Sequence, residues 1–597
     1  MESFDLVIVG AGWHGLAMAK TYHEVCPDHT MLVVDAAQSI GGTWAEERLY
    51  PGLKTNNIIG SYEFGDFPMT PERFAVQAGQ HIPGAVVHEY LCRFAKEFDL
   101  TSRIRLRTKV ESAEMQEGGD WLLRVCTIGV GSRQISTLLA RRLVVATGLT
   151  SEPHLPDYKG RASFTGNLLH SRQLRDRADD IRQSKEVVVV GANKSAWDTC
   201  YTAAMAGAHV SMVIRPGGGG PSWVWPVKLP FGLSLQKMAT TRFFTMFDPC
   251  IWGENSGGFG WARRVLHRTW LGRQFVKWFW KMLAIPVLSA NGYSTHPELA
   301  KLKPWSSMFW MANSLGVHNY ETNWFELVKQ GKINIHIGDV TSLSGNEVFL
   351  SNGIVLVADT FVSCTGWKVA PPIEFLPEGI TTELGIPGLR ASEDTSLLKH
   401  AVEEISRAVP ELQAGPVKTL PKGSGPITST RDSKTPTPYR LYRFMVPPAP
   451  KFLELRNIAF IGAHLALNAI TVAQAQALWI TAFFEDGIPH LKHSKLDVND
   501  IQYRTILQSE YCRLRHPPAG GGAGERCPDL VFDGLLYTDL LLRDVEVDNF
   551  RKRGTWQELF HRYLPKDYAG MTFELATHLQ RAQRAQNAGG ASAQEDV

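Results

Sequence analysis

Two glycine-rich turns hold the residues of this sequence that are best suited to chemistry. The first turn follows an apolar run, Phe4 to Val9, and precedes a helix-like stretch that ends at Val25. Small residues in such a turn let the backbone approach a pyrophosphate, and the N–H groups at the start of the helix attract its charge. We expect four residues to form this phosphate site: Gly10, Ala11, Gly12 and Gly15.

An acidic residue stands where the ribose of a dinucleotide would lie. A second apolar run, Met31 to Val34, ends at Asp35, 20 positions after the last glycine of the turn. A carboxylate there accepts hydrogen bonds from the adenosine ribose hydroxyls, which favours FAD or NAD. An ordinary tight turn between a strand and a helix is the alternative. Because strand, glycines, helix and acid agree, the sequence predicts a dinucleotide site.

The second turn has the same plan with different side chains. It follows the apolar run Val187 to Val190, and the next predicted strand, His209 to Ile214, ends at a cation, Arg215. A cation at this point selects the 2′-phosphate of NADPH, whereas a solvated surface arginine is the alternative. Lys194 is a second candidate for contact with this phosphate. The residues expected to bind the cofactor are Gly191, Asn193, Lys194, Ser195, Ala196 and Arg215.

The elements around the two turns predict an α/β fold with two Rossmann-like dinucleotide-binding domains. Polar and apolar residues alternate in three predicted strands of an antiparallel meander, followed by a separate buried strand before Ala146-Thr147-Gly148. Apolar runs after residue 330 lead in the same way to Cys364-Thr365-Gly366. The predicted meander strands and the buried strand are Ile104–Val110, Trp121–Cys126, Arg133–Leu139 and Arg142–Val145. The repeated plan indicates a duplicated domain.

The segment between the two turns resembles the class B flavin monooxygenases. Their FxGxxxHxxx(aromatic) motif matches Phe164, Gly166 and His170, although Leu174 replaces the last aromatic residue. Further segments similar to that family are Gly41-Gly42-Thr43-Trp44, Tyr50-Pro51-Gly52-Leu53-Lys54-Thr55-Asn56, the two (A/C)TG segments, and Ile458 to Trp479. The resemblance covers about residues 3–215 and 330–485.

This resemblance implies FAD, NADPH and O2 as cofactors and cosubstrate. Asn56 would lie beside the reactive edge of the flavin, with its neighbour Asn57 or a simple turn asparagine as alternatives. His170 would act in catalysis or, as the alternative, tie the linker between the domains. The other cofactor-binding residues that we expect are Thr43, Trp44, Val110, Thr147, Gly148, Thr365 and Gly366.

The implied reaction is oxygen transfer from a C4a-hydroperoxyflavin, with epoxidation or hydroxylation expected and Baeyer–Villiger oxidation of a ketone as the alternative. The chain is similar to fungal enzymes that tailor secondary metabolites. Two other functions stay open: a non-oxygenating flavin reductase or oxidase, and a flavin-binding carrier protein. NADPH turnover would separate the carrier protein from the enzymes.

Three segments depart from the two-domain plan. Residues 217–300 form an insertion rich in Trp and Phe, which we expect to roof a site for a nonpolar substrate of the polyketide or terpenoid class. Its run Lys277 to Val287 could instead contact a membrane, which we do not favour, and we expect Pro286 to end any helix there. Residues 416–438 predict a loop, and residues 491–597 a helical extension with a disordered tail.

The predicted domain boundaries follow from these segments. The FAD-binding domain has a first part, 1–160, and a returning part, 367–490, on either side of the NADPH-binding domain, 161–366.

The composition excludes several other functions. The net charge of +3, from 62 basic and 59 acidic residues, gives no sign of binding to nucleic acid or to a charged membrane surface. Eight cysteines without a CxxC pair or a His/Cys ligand spacing argue against a dithiol reductase and a metal site. Since no signal peptide is visible and no apolar run reaches the ~18 residues of a membrane span, we expect a cytoplasmic enzyme.

Overall fold

The computed structural model of the chain describes residues 1–594 except 78, 130–132, 227–228, 230–231, 256–258, 389–394, 422–423 and 425–436. The elements of residues 1–160 are β1 (Glu2–Val9), α1 (Trp13–Val25), β2 (Met31–Val34), β3 (Lys54–Ile58), α2 (Pro71–Phe74), β4 (His81–Pro83), α3 (Gly84–Glu97), β5 (Ile104–Arg105), β6 (Thr108–Met115), β7 (Trp121–Ile128), β8 (Arg133–Val145) and β9 (Glu152–Pro153).

The elements of residues 161–366 are β10 (Asn167–His170), α4 (Ala178–Gln183), β11 (Glu186–Val190), α5 (Lys194–Met205), β12 (His209–Ile214), β13 (Trp223–Trp225), α6 (Leu235–Ala239), α7 (Arg242–Thr245), α8 (Gly260–Arg268), α9 (Trp270–Asn291), α10 (Pro297–Lys301), β14 (Leu315–Val317), α11 (Trp324–Lys329), β15 (Ile333–Ile337), β16 (Val340–Ser344), β17 (Glu347–Leu350), β18 (Val355–Val357) and β19 (Thr360–Ser363).

The elements of the remaining chain are β20 (Trp367–Lys368), β21 (Glu374–Leu376), α12 (Ile380–Glu383), α13 (Thr395–Ala408), α14 (Pro450–Leu455), β22 (Ile458–Phe460), β23 (Leu465–Ala466), α15 (Ala469–Phe484), α16 (Val498–Arg515), β24 (Asp529–Leu530), α17 (Gly534–Asp544), α18 (Thr555–Phe560) and α19 (Met571–Gln594).

The larger sheet is built around β1, which is paired in parallel with β2 and β8. The full strand order is β21-β6-β7-β8-β1-β2-β5, and β22 joins β8 in parallel. The apolar ends of β1 and β2 are buried, as expected of parallel strands covered on both faces. Helices α1 and α15 pack against each other beside this sheet.

The meander differs from the prediction at both of its ends. Residues Ile104–Val110 do not form one strand: β5 pairs with β2, and Arg107, with a left-handed φ of 54°, separates it from β6. A bulky residue in this conformation turns the chain, so the antiparallel arm begins at Thr108. The separate strands expected at Arg133–Leu139 and Arg142–Val145 are instead one strand, β8.

The smaller sheet contains five parallel strands in the order β10-β19-β11-β12-β15. Both predicted strands beside the second glycine turn are present, and α5 follows the turn directly. Strands β16, β17 and β18 form a separate antiparallel sheet. The predicted architecture, an α/β fold with two parallel-sheet dinucleotide domains, is confirmed.

The two segments that connect the larger and the smaller sheet pair with each other as a short two-stranded sheet. Strand β9, where the chain leaves the larger sheet, pairs antiparallel with β20, where it returns: Trp367 lies opposite Pro153, and Lys368 opposite Glu152. The two (A/C)TG segments therefore lie close to the same junction.

One prediction about the added segments was wrong. Pro286 does not end a helix, because α9 continues through it to Asn291. A proline removes the hydrogen bond to the carbonyl four residues earlier, here that of the exposed Met282, where water can replace it. Helix α19 extends to Gln594, into the segment expected to be a disordered tail, and the disorder of that tail stays a prediction. Most of the predicted loop 416–438 lies outside the described residues.

No helix in the described ranges has both the length and the apolar character needed to cross a membrane.

Candidate active site

The first glycine turn forms one wall of a cleft of about 960 Å³. Gly10 has a φ of 121°, and a Cβ atom on it would lie 2.4 Å from the carbonyl oxygen of Ala146. A Cβ atom on Gly15 would lie 1.8 Å from the oxygen of Gly10, so both glycines let α1 approach the sheet. Eight of the predicted cofactor residues line the cleft: Gly10, Gly12, Asp35, Thr43, Trp44, Val110, Thr147 and Gly148.

Asp35 holds the glycine turn in place from the end of β2. Its Oδ2 atom accepts a hydrogen bond from the backbone N–H of Ala11 at 2.6 Å, and its Oδ1 atom one from Ala37 at 2.8 Å. Burial raises the pKa of the Asp35 carboxyl, and these two N–H groups oppose that rise. Each oxygen keeps a second lone pair, with which it can accept a bond from a ribose hydroxyl.

A second cleft, of about 380 Å³, adjoins the first and extends it towards the smaller sheet. Both predicted candidates, Asn56 and Asn57, line it. The amide nitrogen of Asn57 donates to the carbonyl of Leu467 at 3.2 Å, which fixes this side chain. The Oδ1 atom of Asn56 is buried and has no partner within the described residues. Asn56 therefore has the acceptor that a bound molecule can use.

Two arginines that sequence reasoning did not identify line both clefts. They are Arg48, after the GGTW segment, and Arg172, two residues after His170. Arg48 donates to the carbonyl of Thr150 at 2.9 Å. Burial, and then repulsion from Arg172, lower the pKa of Arg48 to about 10, so it is still charged at neutral pH. The junction of the clefts is therefore positive.

A pair of histidines forms another part of the larger cleft. His14 lies inside the first glycine turn and His464 follows β22, and their rings meet edge to face with centroids 5.4 Å apart. Burial lowers the pKa of His14 to about 4, and burial together with His14 lowers that of His464 well below 6.5. Both imidazoles are neutral, and His14 Nε2 and both ring nitrogens of His464 lack partners within the described residues.

A polar cluster joins the two sheets at the smaller cleft. The Lys194 ammonium contacts Asp198 at 2.5 Å and Asn319 at 2.9 Å. Tyr50, from the first part of the chain, and Tyr320 each donate to Asp198 at 2.6 Å. Lys194 is therefore paired with a carboxylate, which leaves Arg215 as the better phosphate contact. Ser195 lines the same cleft.

The second glycine turn is as closely packed as the first. A Cβ atom on Gly191 would lie 2.7 Å from the oxygen of Cys364, and Ala196 is buried at the start of α5. Asn193 precedes that helix and accepts a hydrogen bond from Ser314 at 2.8 Å. Arg215 is exposed at the end of β12 and forms no salt bridge within the described part of the chain.

His170 joins the linker to the return crossing. Its Nδ1 atom accepts from the backbone N–H of Arg172 at 3.0 Å, so Nε2 carries the hydrogen that is donated to the carbonyl of Gly366, also at 3.0 Å. Burial lowers the pKa of His170. Thr365 donates to the carbonyl of His154 at 2.5 Å. Because backbone atoms occupy both ring nitrogens, these contacts match the linking alternative and give no support to a catalytic role.

A third cavity, of about 830 Å³, lies under the aromatic insertion. The inner face of α9 and residues around Trp305 line it. The indole N–H groups of Trp223 and Trp305 are buried without a partner within the described residues. Trp223 lines this cavity and lies opposite Leu315 in the strand pair of β13 and β14, and Leu315 lines the 380 Å³ cleft. The cavity and the cleft therefore both adjoin this strand pair.

Comparison with known proteins identifies the family. A family profile described as pyridine nucleotide-disulphide oxidoreductase matches residues 7–223. An FAD-dependent monooxygenase of Aspergillus nomiae is 34% identical over 96% of this chain and 98% of its own length. The chain belongs to the FAD-dependent monooxygenases. Another such monooxygenase, from Pyrenophora dematioidea, is 35% identical over 93% of this chain and 100% of its own length.

Solved structures share the fold of this monooxygenase. Cyclohexanone monooxygenase from Rhodococcus sp. Phi1, bound to NADP+, superposes with a TM-score of 0.56 at 17% identity and covers 91% of this chain and 98% of that chain. S-allyl-L-cysteine S-oxygenase from Allium sativum superposes with a TM-score of 0.51 at 15% identity and covers 98% of this chain and 99% of that chain.

The residues of the monooxygenase fit a flavin dinucleotide. The larger cleft offers a close-packed glycine turn for a pyrophosphate and a carboxylate for a ribose, and partnerless polar atoms face it. Within the described residues, one group of potential metal ligands also lies together: Cys26, His29 and Glu485. Glu485 is paired with Arg142, and burial raises the pKa of the Cys26 thiol to about 12. This group is therefore poorly suited to a metal.

Proposed function

We propose that this monooxygenase binds FAD in the 960 Å³ cleft and NADPH beside the second glycine turn, and uses O2 to hydroxylate or epoxidise a nonpolar small molecule. We further propose that this substrate is a secondary metabolite of the polyketide or terpenoid class. The observation that carries the proposal is the continuity of the two clefts, with the partnerless amide oxygen of Asn56 inside the smaller one.

The protein contributes orientation and the exclusion of water. Bound FAD, once reduced by NADPH, activates O2 and supplies one oxygen atom to the substrate. Asn56 offers a neutral amide where a charge would promote the loss of peroxide. The neutral rings of His14 and His464 add buried hydrogen-bonding groups without adding charge.

Arg215 supports the choice of NADPH over NADH. It stands at the end of β12, where the adenosine ribose of a dinucleotide lies in this fold, and no carboxylate of the described chain is paired with it. A 2′-phosphate would supply the missing partner.

The cavity under the insertion supports a nonpolar substrate. It is large enough for a drug-sized molecule, and its five aromatic side chains favour apolar surface, although four Lys and Arg side chains and one Glu also line it. The two unpaired indole N–H groups would each donate a hydrogen bond to an oxygen atom of the ligand. This agrees with an oxygenated hydrocarbon skeleton.

Baeyer–Villiger oxidation of a ketone is the second candidate, and Arg48 and Arg172 favour it. Two guanidinium groups at the junction of the clefts would stabilise negative charge on the oxygen that is transferred. A negative oxygen attacks a ketone carbonyl, whereas an electrophilic one attacks an alkene. The reaction type therefore depends on how close these cations lie to the flavin.

The test supplies the FAD-loaded enzyme with NADPH and ¹⁸O2 and offers alkenes, arenes and ketones in parallel. We expect one ¹⁸O atom in an epoxide or alcohol. Esters from ketones would favour the second candidate. NADPH oxidation that yields only hydrogen peroxide with every substrate would favour an oxidase, and no flavin reduction would refute the NADPH assignment.

Asn56→Ala and its neighbour Asn57→Ala form a matched pair for the same assay. Because only Asn56 presents an unused oxygen, its substitution should release several times more hydrogen peroxide per NADPH than that of Asn57. Equal release by the two variants would contradict the role given to Asn56.

A further inference from the structure

An apolar stripe runs along the exposed face of α9. Leu271, Phe275, Trp278, Met282 and Ile285 follow one another at intervals of four and three residues, which places them on one side of a helix. Their side chains are 45–72% exposed. Trp261 and Trp270 continue the exposed apolar surface into α8, and we call the whole the α8–α9 surface. Of the nineteen strongly exposed large apolar side chains in the described chain, eight lie between residues 261 and 285.

The segment that forms this surface carries basic residues but no acidic ones. Between Glu254 and Glu298 the sequence has six Lys and Arg residues, of which Arg263 is buried, and no Asp or Glu, so the rest of the chain, taken without them, has a net charge of −3. Arg264, Lys277 and Lys281 are exposed, and the last two also line the 830 Å³ cavity on the other side of α9. Lys277 is also 3.0 Å from Glu411, which offsets part of its charge.

The α8–α9 surface belongs to a firmly packed helix. The opposite side of α9 buries Val276, Trp280 and Val287. The indole N–H of Trp280 donates to the carbonyl of Phe247 at 3.0 Å, and the ring of Phe247 stacks on Phe279 with centroids 3.8 Å apart. Because the opposite side of α9 is packed in the core, the helix holds the stripe at the surface of the protein.

We propose that the α8–α9 surface docks on an anionic lipid bilayer. Tryptophans and aliphatic side chains flanked by Lys and Arg are the composition of helices that lie in a membrane interface. Acidic lipid headgroups complement the cations while the stripe enters the acyl boundary. No described helix could span the membrane, so the contact is peripheral. A second copy of the chain would bring two cationic surfaces together, which disfavours it as the occupant.

The experiment measures the cosedimentation of the flavin-loaded protein with phosphatidylcholine vesicles that contain about 30% phosphatidylserine or none. Wild-type protein should bind the anionic vesicles about 10-fold more tightly than the neutral ones, and added salt should weaken this binding. The double variant Leu271→Glu/Trp278→Glu should bind the anionic vesicles at least about 10-fold more weakly, and Lys281→Glu should bind them less tightly than wild type does.

The matched control is Ile128→Glu/Ile135→Glu, which places the same two charges at apolar positions that are 51% and 49% exposed on β7 and β8 of the larger sheet. It should bind the vesicles as wild type does, and the flavin absorbance of every variant verifies folding. The proposal is overturned if wild-type protein does not bind anionic vesicles, or if the double variant binds as well as wild type. Self-association that the double variant abolishes, without vesicle binding, would overturn it in favour of a second copy.

Discussion

Replacing Gly12 and Gly15 separately by alanine should distinguish an effect on FAD affinity from an effect on the stability of the fold. On Gly15 the new Cβ atom would lie 1.8 Å from the oxygen of Gly10, so α1 must move away from the turn. Overpacking of this kind costs about 1–3 kcal/mol and sometimes more, and alanine's better helix propensity returns only about 1 kcal/mol. On Gly12 the nearest atom is the Cα of Gly42 at 3.5 Å, an ordinary contact.

Gly12→Ala should therefore act through FAD. The added methyl group keeps the pyrophosphate from approaching the backbone, and we expect FAD to bind about 10-fold more weakly, which equals about 1.4 kcal/mol. The assay is urea unfolding with and without FAD, together with an FAD titration. Without FAD, Gly12→Ala should lose less than about 1 kcal/mol, the cost of alanine at a helix N-cap. Gly15→Ala should lose about 2 kcal/mol in both states, because a contact of 1.8 Å with a backbone oxygen costs the upper end of the overpacking range and the helix propensity of alanine returns part of it. The reasoning is refuted if FAD-free Gly12→Ala is as unstable as Gly15→Ala.

Three further predictions concern single groups. Arg215→Ala should raise the KM for NADPH about 10- to 100-fold and that for NADH less than about 3-fold, because only NADPH has a 2′-phosphate; equal effects would contradict phosphate recognition. Burial lowers the pKa values of His14 and His267 to about 4 in the folded protein. Because the unfolded chain takes up these protons already below pH 6.5, the free energy of unfolding should fall as the pH is lowered from 6.5 towards 4. The loss is about 3 kcal/mol each, and urea midpoints that do not change with pH would contradict it. Asp539→Asn should destabilise the fold by about 1.5–3 kcal/mol, because the buried Arg242 would lose one of its two carboxylate partners and keep only Glu558; thermal unfolding measures this, and an unchanged midpoint would show that the pair adds nothing.

The sequence predicts those parts of the site that are local in the chain. The glycines of the first turn, Asp35 and the strands beside them follow one another within about 35 residues, so one strand-turn-helix-strand unit specifies their geometry. Lys194 and Asp198 are four residues apart on α5, a spacing that pairs opposite charges on a helix. That pairing could therefore have been predicted from the sequence.

Other parts depend on which distant segments meet. Arg48 and Arg172 line the same clefts although 124 positions separate them, and nothing in either segment predicts the other. His14 and His464 meet only because β22 joins β8 and brings the chain after it over the first glycine turn. The alternating pattern of residues 104–110 predicts one strand, but the pairing of β5 with β2 and the turn at Arg107 divide it. Pro286 disfavours a helix, but packing of the rest of α9 against the fold keeps that helix continuous.

The pairing of β22 with β8 also determines when the larger sheet can be completed during translation. Ile458 lies opposite Leu143, so the edge of β8 from Leu143 to Val145 acquires its strand partner 315 residues after it is made. At about 5–20 residues per second, a ribosome takes roughly 15 to 60 seconds to reach that partner. During this interval an apolar strand edge is open to pairing with another chain, a known route to aggregation. Gly462 and His464, which complete the 960 Å³ cleft, arrive later still. The 960 Å³ cleft is therefore complete only after more than three quarters of the chain has been translated.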